Sequence, residues 1–219
     1  MATATQPLTL EEFLKFPETK PASEFIKGEI VQKPMPQGEH SRLQFKFCAV
    51  VNEVAEPEKI AIAFPELRCT FRGDSIVPDV AVFWWERIPV RPPGRIANRF
   101  EIHPDWSIEI LYDVRLITLN KISPSLPLSL SPPQSLFRVI QPDMILSPDQ
   151  SQTKVLGKLL HCSQHGTELG WLIDPEEESI LVVFPEQRVQ LLRGNAQLPI
   201  LEGISLELTV EQVFSWLTL

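Results

Sequence analysis

VPDVAVFWW, residues 77–85, is the stretch of sequence that decides the fold. Its last six residues are all apolar, as expected of a strand that is buried on both faces. One carboxylate, Asp79, stands at the start of this strand, and the next apolar segment, 106–111, carries Glu109. If the two strands are antiparallel neighbours, both carboxylates share a face and can bind one divalent cation, because Mg²⁺ takes oxygen ligands. Two such acids can also pair with cations or lie at a sheet edge, so the spacing alone leaves their role open.

Helix and strand patterns continue on both sides of this stretch. Thr9-Leu10-Glu11-Glu12 and Thr209-Val210-Glu211-Gln212 each fit a capping box and predict the start of a helix. Residues 89–99 are rich in Pro and Arg and predict a mobile loop. The alternation of patterns predicts an α/β fold. Its other predicted elements are a hairpin or a bent strand over 23–33, helices over 39–56 and 150–165, and strands over 60–64, 67–71, 77–85, 106–111, 169–173, 179–184 and 188–192.

The composition favours a single domain that spans residues 1–219. The chain has 219 residues, 43% of them hydrophobic, and no apolar run approaches the roughly 20 residues of a membrane span. We therefore expect a cytoplasmic protein that does not bind membranes. The formal net charge of −8 opposes non-specific binding to nucleic acid, so a role on DNA must depend on a local site. The three cysteines form no CxxC pair, and we interpret them as reduced packing residues.

Six motifs stand in a fixed order along the chain. They are FIKGEIVQKPMP (25–36), a helix opened by His40, VPDVAV (77–82), SIEIL (107–111), SPDQSQTK (147–154) and ELGWLIDPEEESILVV (168–183). Together they resemble the Uma2 family of restriction endonucleases, which belongs to the PD-(D/E)XK nuclease superfamily. The resemblance implies a mixed α/β (α+β) fold in which helices flank a central mixed sheet. It also implies an endonuclease that uses Mg²⁺ or Mn²⁺ to hydrolyse the phosphodiester bonds of DNA.

The resemblance implies a role for three residues. Asp79 matches the acid of the PD element and Glu109 the second acid, so these two carboxylates would hold the metal. Leu111 stands where the (D/E)XK triplet has its lysine. The family's lysine has moved to the following helix, where Lys158 would position or activate the attacking water and stabilise developing charge. Lys154, one helical turn earlier on a similar face, is the competing candidate.

Other polar residues leave two interpretations open. His40 resembles the family's helix-opening histidine, which would orient substrate or a metal ligand; the alternative is a local hydrogen bond at a helix start. Glu29 is either a further acid near the site or a solvated residue of the hairpin. His161 and His165 have the i, i+4 spacing of a zinc pair but lack the HExxH pattern, and we interpret them as a surface pair.

Residues 112–146 interrupt the family pattern between the Glu109 strand and the lysine helix. Their Ser, Pro and Leu composition provides no periodic apolar face, so we expect an exposed, poorly ordered insertion that the fold tolerates. Glu109 and Lys158 flank this segment, and a misplacement of about 1 Å can cost roughly a hundredfold in rate. The alternatives to an active enzyme are therefore a weak or inactive nuclease-like domain that binds DNA or a protein partner, and a structural dimerising domain. The choice between DNA and RNA, the target sequence and the oligomeric state, a homodimer included, stay open.

Overall fold

A computed structural model describes residues 8–112 and 152–219. None of the helices within these two ranges combines the length and the apolar character that a membrane span requires. Four α-helices and twelve strands occur in the described ranges. In chain order they are α1 Leu10–Phe13, β1 Ser23–Ile26, β2 Glu29–Gln32, α2 Gly38–Ala55, β3 Ala61–Pro65, β4 Cys69–Phe71, β5 Asp74–Ile76, β6 Val80–Trp84, β7 Val90–Arg91, β8 Arg95–Ile96, β9 Trp106–Ile110, α3 Gln152–Gln164, β10 Leu169–Asp174, β11 Ser179–Val183, β12 Val189–Arg193 and α4 Val210–Ser215.

Both predicted capping boxes are formed. The Thr9 hydroxyl accepts a hydrogen bond from the Glu12 backbone N–H at 3.3 Å, and the Glu12 carboxylate accepts one from the Thr9 N–H at 2.9 Å. Thr209 and Gln212 make the same reciprocal pair at the start of α4. Each box satisfies backbone donors that a helix start otherwise leaves without a partner, which helps two short helices to form.

A six-stranded sheet, in the order β12-β11-β10-β9-β6-β3, forms the centre of the fold. β9 and β10 are parallel, and every other neighbouring pair in this sheet is antiparallel. The parallel pair needs a long crossover connection, and this connection carries α3. A mixed sheet flanked by helices confirms the predicted fold class.

The register between β6 and β9 aligns the two candidate acids. Val80 pairs with Ile108 and Ala81 with Ser107, so continuing the antiparallel ladder by one residue sets Asp79 opposite Glu109. Residues directly opposite each other in antiparallel strands lie on the same face of the sheet. The prediction that these two strands are antiparallel neighbours is confirmed.

Helix α2 covers one face of the central sheet. Phe47 of α2 is fully buried and meets Trp171 edge-on, with ring centroids 5.7 Å apart. Trp171 in turn meets Trp106 of β9 edge-on at 4.6 Å. These aromatic rings therefore form the centre of the larger core, between α2 and the sheet.

Helix α3 covers the opposite face. Its residue Leu159 packs against Leu172 of β10. Gly170 permits this close packing, because a Cβ added there would come within 3.3 Å of the Leu159 side chain. Glu109 points to the α3 face, since its neighbours Ile108 and Ile110 belong to the core on the α2 face.

A second, four-stranded antiparallel sheet has the order β2-β1-β5-β4. Its β1 and β2 confirm the hairpin predicted over 23–33. The prediction of a mobile loop over 89–99 is wrong, because this segment contains β7 and β8, paired through Val90 and Ile96. Each of these strands has only two residues, too few to show a periodic pattern in the sequence.

Tyr112 corrects one predicted boundary. The sequence places the start of an exposed segment at this residue, but Tyr112 is only 7% exposed. Its ring stacks on the imidazole of His40, with centroids 4.4 Å apart. The rest of the predicted segment, residues 113–146, lies outside the described residues.

We expect Phe47→Ala to lower the free energy of unfolding by about 3–5 kcal/mol, since it removes a fully buried ring. Phe45→Ala is the matched control on the same helix, because Phe45 is 65% exposed. The control should change the free energy of unfolding by less than about 0.5 kcal/mol. Urea denaturation followed by circular dichroism measures both, and equal losses would contradict the described packing of α2.

Candidate active site

Asp79 is a carboxylate with fixed partners. Its Oδ2 accepts a hydrogen bond from the Ile110 backbone N–H at 2.7 Å and lies 3.1 Å from Nε2 of His40. Its Oδ1 contacts the ammonium of Lys33. Burial opposes ionisation, but the charge of Lys33 and the adjacent His40 outweigh it and hold the pKa of Asp79 well below its usual range. Asp79 therefore stays ionised at every pH at which the protein would work.

Glu109 lies opposite Asp79 in a different environment. It is 1% exposed, and Nζ of Lys158 lies 2.9 Å from its Oε2. Despite that short distance, neither oxygen has a well-directed hydrogen bond from the described residues. Burial raises the pKa of Glu109 to about 7, with the charges of Asp79 and Glu24 adding to the effect and the two nearby lysines opposing it. Its oxygens are thus buried, and the ammonium of Lys158 is the cation nearest to them.

Lys158 reaches these acids from α3. Its Nζ donates to both oxygens of Glu24, at 2.9 and 3.2 Å, in addition to its ion pair with Glu109. Burial disfavours the charged form, but the two carboxylates outweigh it and raise the pKa of Lys158. Lys154 is exposed and lies one turn earlier. Of the two predicted lysines, the structure thus brings Lys158 to the acids.

Two residues of this cluster were missed in the sequence, Glu24 and Lys33. Glu24 lies in β1, is buried, and accepts a hydrogen bond from the Val77 backbone N–H at 2.7 Å. Lys33 follows β2 and donates to the Val77 carbonyl oxygen at 2.8 Å. Both belong to the hairpin, where an alternating pattern marks polar positions as solvated. The sequence signal that was available is the position of Lys33 directly before Pro34, at the end of a strand.

His40 belongs to the cluster and Glu29 does not. His40 is buried at the start of α2, with Nε2 beside Asp79 and its ring stacked on Tyr112. The structure therefore favours a role in orienting Asp79 over a purely local hydrogen bond. Glu29 is exposed and lines a cavity of about 270 Å³ beside the cluster. The residues around this cavity are Glu24, Ile26, Lys27, Glu29, Val31, Lys154, Val155, Gly157 and Lys158.

The described residues contain no group of three or more His, Cys, Asp or Glu side chains arranged to hold a metal ion. A metal at the candidate site would therefore have two protein ligands, Asp79 and Glu109, within this part of the chain. Mg²⁺ is commonly held by one or two carboxylates together with water and substrate phosphate oxygens. The buried oxygens of Glu109 that lack directed donors fit such a cation.

His161 and His165, interpreted from the sequence as a surface pair, lie with their rings 4.3 Å apart, but His161 is not at the surface. His161 is buried, and its Nε2 lies 2.7 Å from Oδ2 of Asp74 in the second sheet. Burial lowers the pKa of His161 although Asp74 opposes the shift. The ring of His161 also stacks on Phe71 at 6.0 Å. This contact joins α3 to the second sheet and so helps to hold Lys158, one turn earlier, against Glu24.

Comparisons with known proteins bear on the family and the fold of this chain. The model of the Uma2 family, described as "Putative restriction endonuclease", matches residues 10–113 and 136–211. The chain belongs to the Uma2 family. It is also similar to the solved structure of a "putative nuclease belonging to DUF820" from Anabaena variabilis ATCC 29413, with 46% identity and a TM-score of 0.77. That similarity covers 96% of this chain and 99% of the other. No curated protein matches the chain.

The Uma2 match bears on the predicted insertion. Its two matched ranges leave residues 114–135 between them. The predicted insertion, residues 112–146, extends beyond this unmatched stretch at both ends. The family pattern therefore includes Tyr112, in agreement with the burial of its ring against His40.

We expect Lys158→Met to lower the free energy of unfolding by about 3–5 kcal/mol, because it leaves two buried carboxylates without their ammonium. Lys154→Met, at an exposed position, is the control and should cost less than about 0.5 kcal/mol. Thermal and urea denaturation measure both. Equal losses in the two variants would contradict the assignment of Lys158 to the cluster.

The loss in Lys158→Met should also depend on pH. The pKa of Glu109 is already raised to about 7, and removing Lys158 raises it further. The folded variant therefore holds a proton on Glu109 that the unfolded chain releases, so its stability falls as pH rises through this range. The difference from wild type should be smaller at about pH 5.5 than at about pH 8.5, and the opposite trend would contradict this origin of the loss.

Proposed function

We propose that this Uma2 protein is a metal-dependent endonuclease that hydrolyses phosphodiester bonds of DNA. The observation that carries the proposal is the convergence of Asp79, Glu109 and Lys158 in one buried cluster. The family to which the chain belongs and the nuclease of similar structure support a nucleic-acid substrate. Metal dependence rests on the chemistry of the site, and the choice of DNA rests on the description of the family as restriction endonucleases.

Mg²⁺ or Mn²⁺ is the proposed cofactor, held by Asp79 and Glu109. Both cations prefer the oxygen ligands that this pair offers. When bound, the metal would polarise the phosphate and lower the pKa of a water molecule. Asp79 is oriented by the Ile110 N–H and by His40, so it would supply a ligand of fixed geometry. Glu109 lacks directed donors but lies 2.9 Å from Nζ of Lys158, so a bound cation would share this carboxylate with Lys158.

Lys158 would act as a fixed positive charge. Because Glu24 and Glu109 raise its pKa, it stays protonated and is unsuited to remove a proton from water. Its ammonium can instead donate hydrogen bonds to a phosphate oxygen as negative charge develops there. Glu24, which holds Nζ of Lys158 at 2.9 Å, is a positioning residue for this donor.

The cavity beside the cluster offers the substrate an approach. Glu24 and Lys158 form part of its wall, and Lys27 and Lys154 are exposed residues at its edge. With Lys158 they make three lysines against two acids, Glu24 and Glu29, around this cavity, on a chain whose formal net charge is −8. The phosphate groups of a nucleic-acid backbone would be attracted to the lysines at this cavity.

One observation favours the second candidate function, a weakly active or inactive domain that binds DNA or a protein partner. Asp79 and Glu109 are each 1% exposed, so a phosphate group reaches them only if the surroundings move. A protein that binds nucleic acid without this movement would retain DNA and leave it uncut. Cleavage and binding must therefore be measured separately.

Plasmid cleavage in the presence of Mg²⁺ or Mn²⁺ tests the proposal. We expect Asp79→Asn and Glu109→Gln each to lower the cleavage rate at least about a hundredfold, since each removes a charged ligand at the reacting phosphate. Glu29→Gln is the control, because Glu29 is an exposed acid of the same cavity and should retain activity. Chelation by EDTA should abolish cleavage by the wild type.

Three outcomes distinguish the alternatives. Cleavage that survives in both acid variants would contradict the assignment of the site. Metal-independent retention of DNA without cleavage would favour the binding domain. A single-stranded RNA substrate that is cut faster than DNA under the same conditions would correct the substrate class.

A further inference from the structure

The ammonium of Lys33 lies between the two acids of the cluster. Lys33 is 3% exposed, and its Nζ contacts Oδ1 of Asp79 and lies 4.0 Å from Oε2 of Glu109. A third partner, the Val77 carbonyl oxygen, accepts a hydrogen bond from Nζ at 2.8 Å. The Lys33 backbone N–H donates to the Ala22 carbonyl oxygen at 2.9 Å, which fixes the base of this side chain at the end of the hairpin.

The two buried lysines pair mainly with different carboxylates of the cluster. Lys158 binds Glu24 and Glu109, whereas Lys33 is the ammonium that contacts Asp79. The two carboxylates near the Lys33 ammonium, those of Asp79 and Glu109, are the ones proposed to hold the metal. A divalent cation bound to Oδ1 of Asp79 and an ammonium in contact with that oxygen would repel each other at very short range. They cannot both keep these contacts.

We propose that Lys33 is a tethered competitor for the metal position between Asp79 and Glu109. The inference rests on the proposed function, because it assumes that these carboxylates bind a divalent cation. In the free protein the ammonium neutralises Asp79, and metal binding must displace it. The consequence is a weakened metal affinity, so that the protein needs a higher concentration of Mg²⁺ or Mn²⁺ than the acid pair alone would require.

The remaining partners of Asp79 keep the test feasible. In Lys33→Met the carboxylate retains the hydrogen bond from the Ile110 N–H and the contact with His40. Lys33→Gln is a second variant, since its amide can still donate to the Val77 carbonyl oxygen without carrying a charge. Lys33→Arg keeps the positive charge. Circular dichroism and thermal unfolding establish that each variant is folded before its metal affinity is measured.

Isothermal titration calorimetry with Mn²⁺ measures the dissociation constant in the absence of nucleic acid. We expect Lys33→Met and Lys33→Gln each to bind Mn²⁺ at least about tenfold more tightly than wild type, since each removes a cation in contact with Asp79. Lys33→Arg should stay within about threefold of wild type, because its charge persists. The rise in unfolding temperature caused by saturating Mn²⁺ should be larger in the neutral variants than in wild type.

Lys158→Met is the matched comparison, because the Lys158 ammonium contacts only one of the two proposed ligands, Glu109. Lys158 is equally buried, at 3% exposed, and its removal changes the charge of the cluster by the same amount. Lys33 should have the larger effect on Mn²⁺ affinity, since Lys158 has no contact with the Asp79 carboxylate. Equal gains from the two lysines would overturn the proposal, because the contact between Lys33 and Asp79 would then make no difference to Mn²⁺ affinity. Unchanged affinity in both neutral Lys33 variants would overturn it as well.

The same titrations separate this inference from the proposed function. Binding of Mn²⁺ to wild type and Lys33→Met with equal affinity contradicts only the role of Lys33. Failure of Mn²⁺ to bind wild type and both neutral variants contradicts the metal site itself. Loss of the tight binding in Lys33→Met on adding Asp79→Asn would show that the measured site is the acid pair.

Discussion

The opposition of Asp79 and Glu109 across two buried strands is the constraint on which the rest of the site depends. The register that pairs Val80 with Ile108 fixes it. Two carboxylates in a buried layer lose hydration and repel each other, at an effective cost of several kcal/mol per ion. Lys33 and Lys158 offset this cost from two different structural units, the hairpin and α3. The cluster therefore ties the second sheet and the crossover helix to the centre of the fold.

The two acids differ because their surroundings differ. The charge of Lys33 and the adjacent His40 outweigh burial and lower the pKa of Asp79, whereas burial raises the pKa of Glu109 to about 7. Pairs of carboxyl groups whose environments separate their pKa values commonly take different chemical roles. Here Asp79 is a carboxylate with a fixed orientation and charge, whereas the charge of Glu109 responds to a nearby cation. Because Lys33 touches the first and lies near the second, it can influence both.

The sequence predicted the central strands and the helix over 150–165 because apolar runs and helix-compatible spacing carry a signal of their own. The role of the two acids and the choice of Lys158 depended on the family resemblance, since Lys154 and Lys158 share a helix face and spacing alone does not separate them. Glu24 and Lys33 escaped prediction because their burial arises from packing of the second sheet against the first. That contact is tertiary, and the alternating pattern of a hairpin does not contain it. The predicted start of the insertion at Tyr112 was misplaced because amino-acid composition contains no information on tertiary contacts. The stacking of the Tyr112 ring on His40 is such a contact.

Anomalous diffraction from crystals of the wild-type protein grown with Mn²⁺ tests most directly whether the acid pair is a cation site. We expect a peak within about 2.5 Å of a carboxylate oxygen of both Asp79 and Glu109. Nζ of Lys33 should then lie away from Oδ1 of Asp79. A peak beside Asp74 and His161 in place of the acid pair, or no peak at a Mn²⁺ concentration that saturates the protein in calorimetry, would contradict the assignment of the acid pair as a cation site.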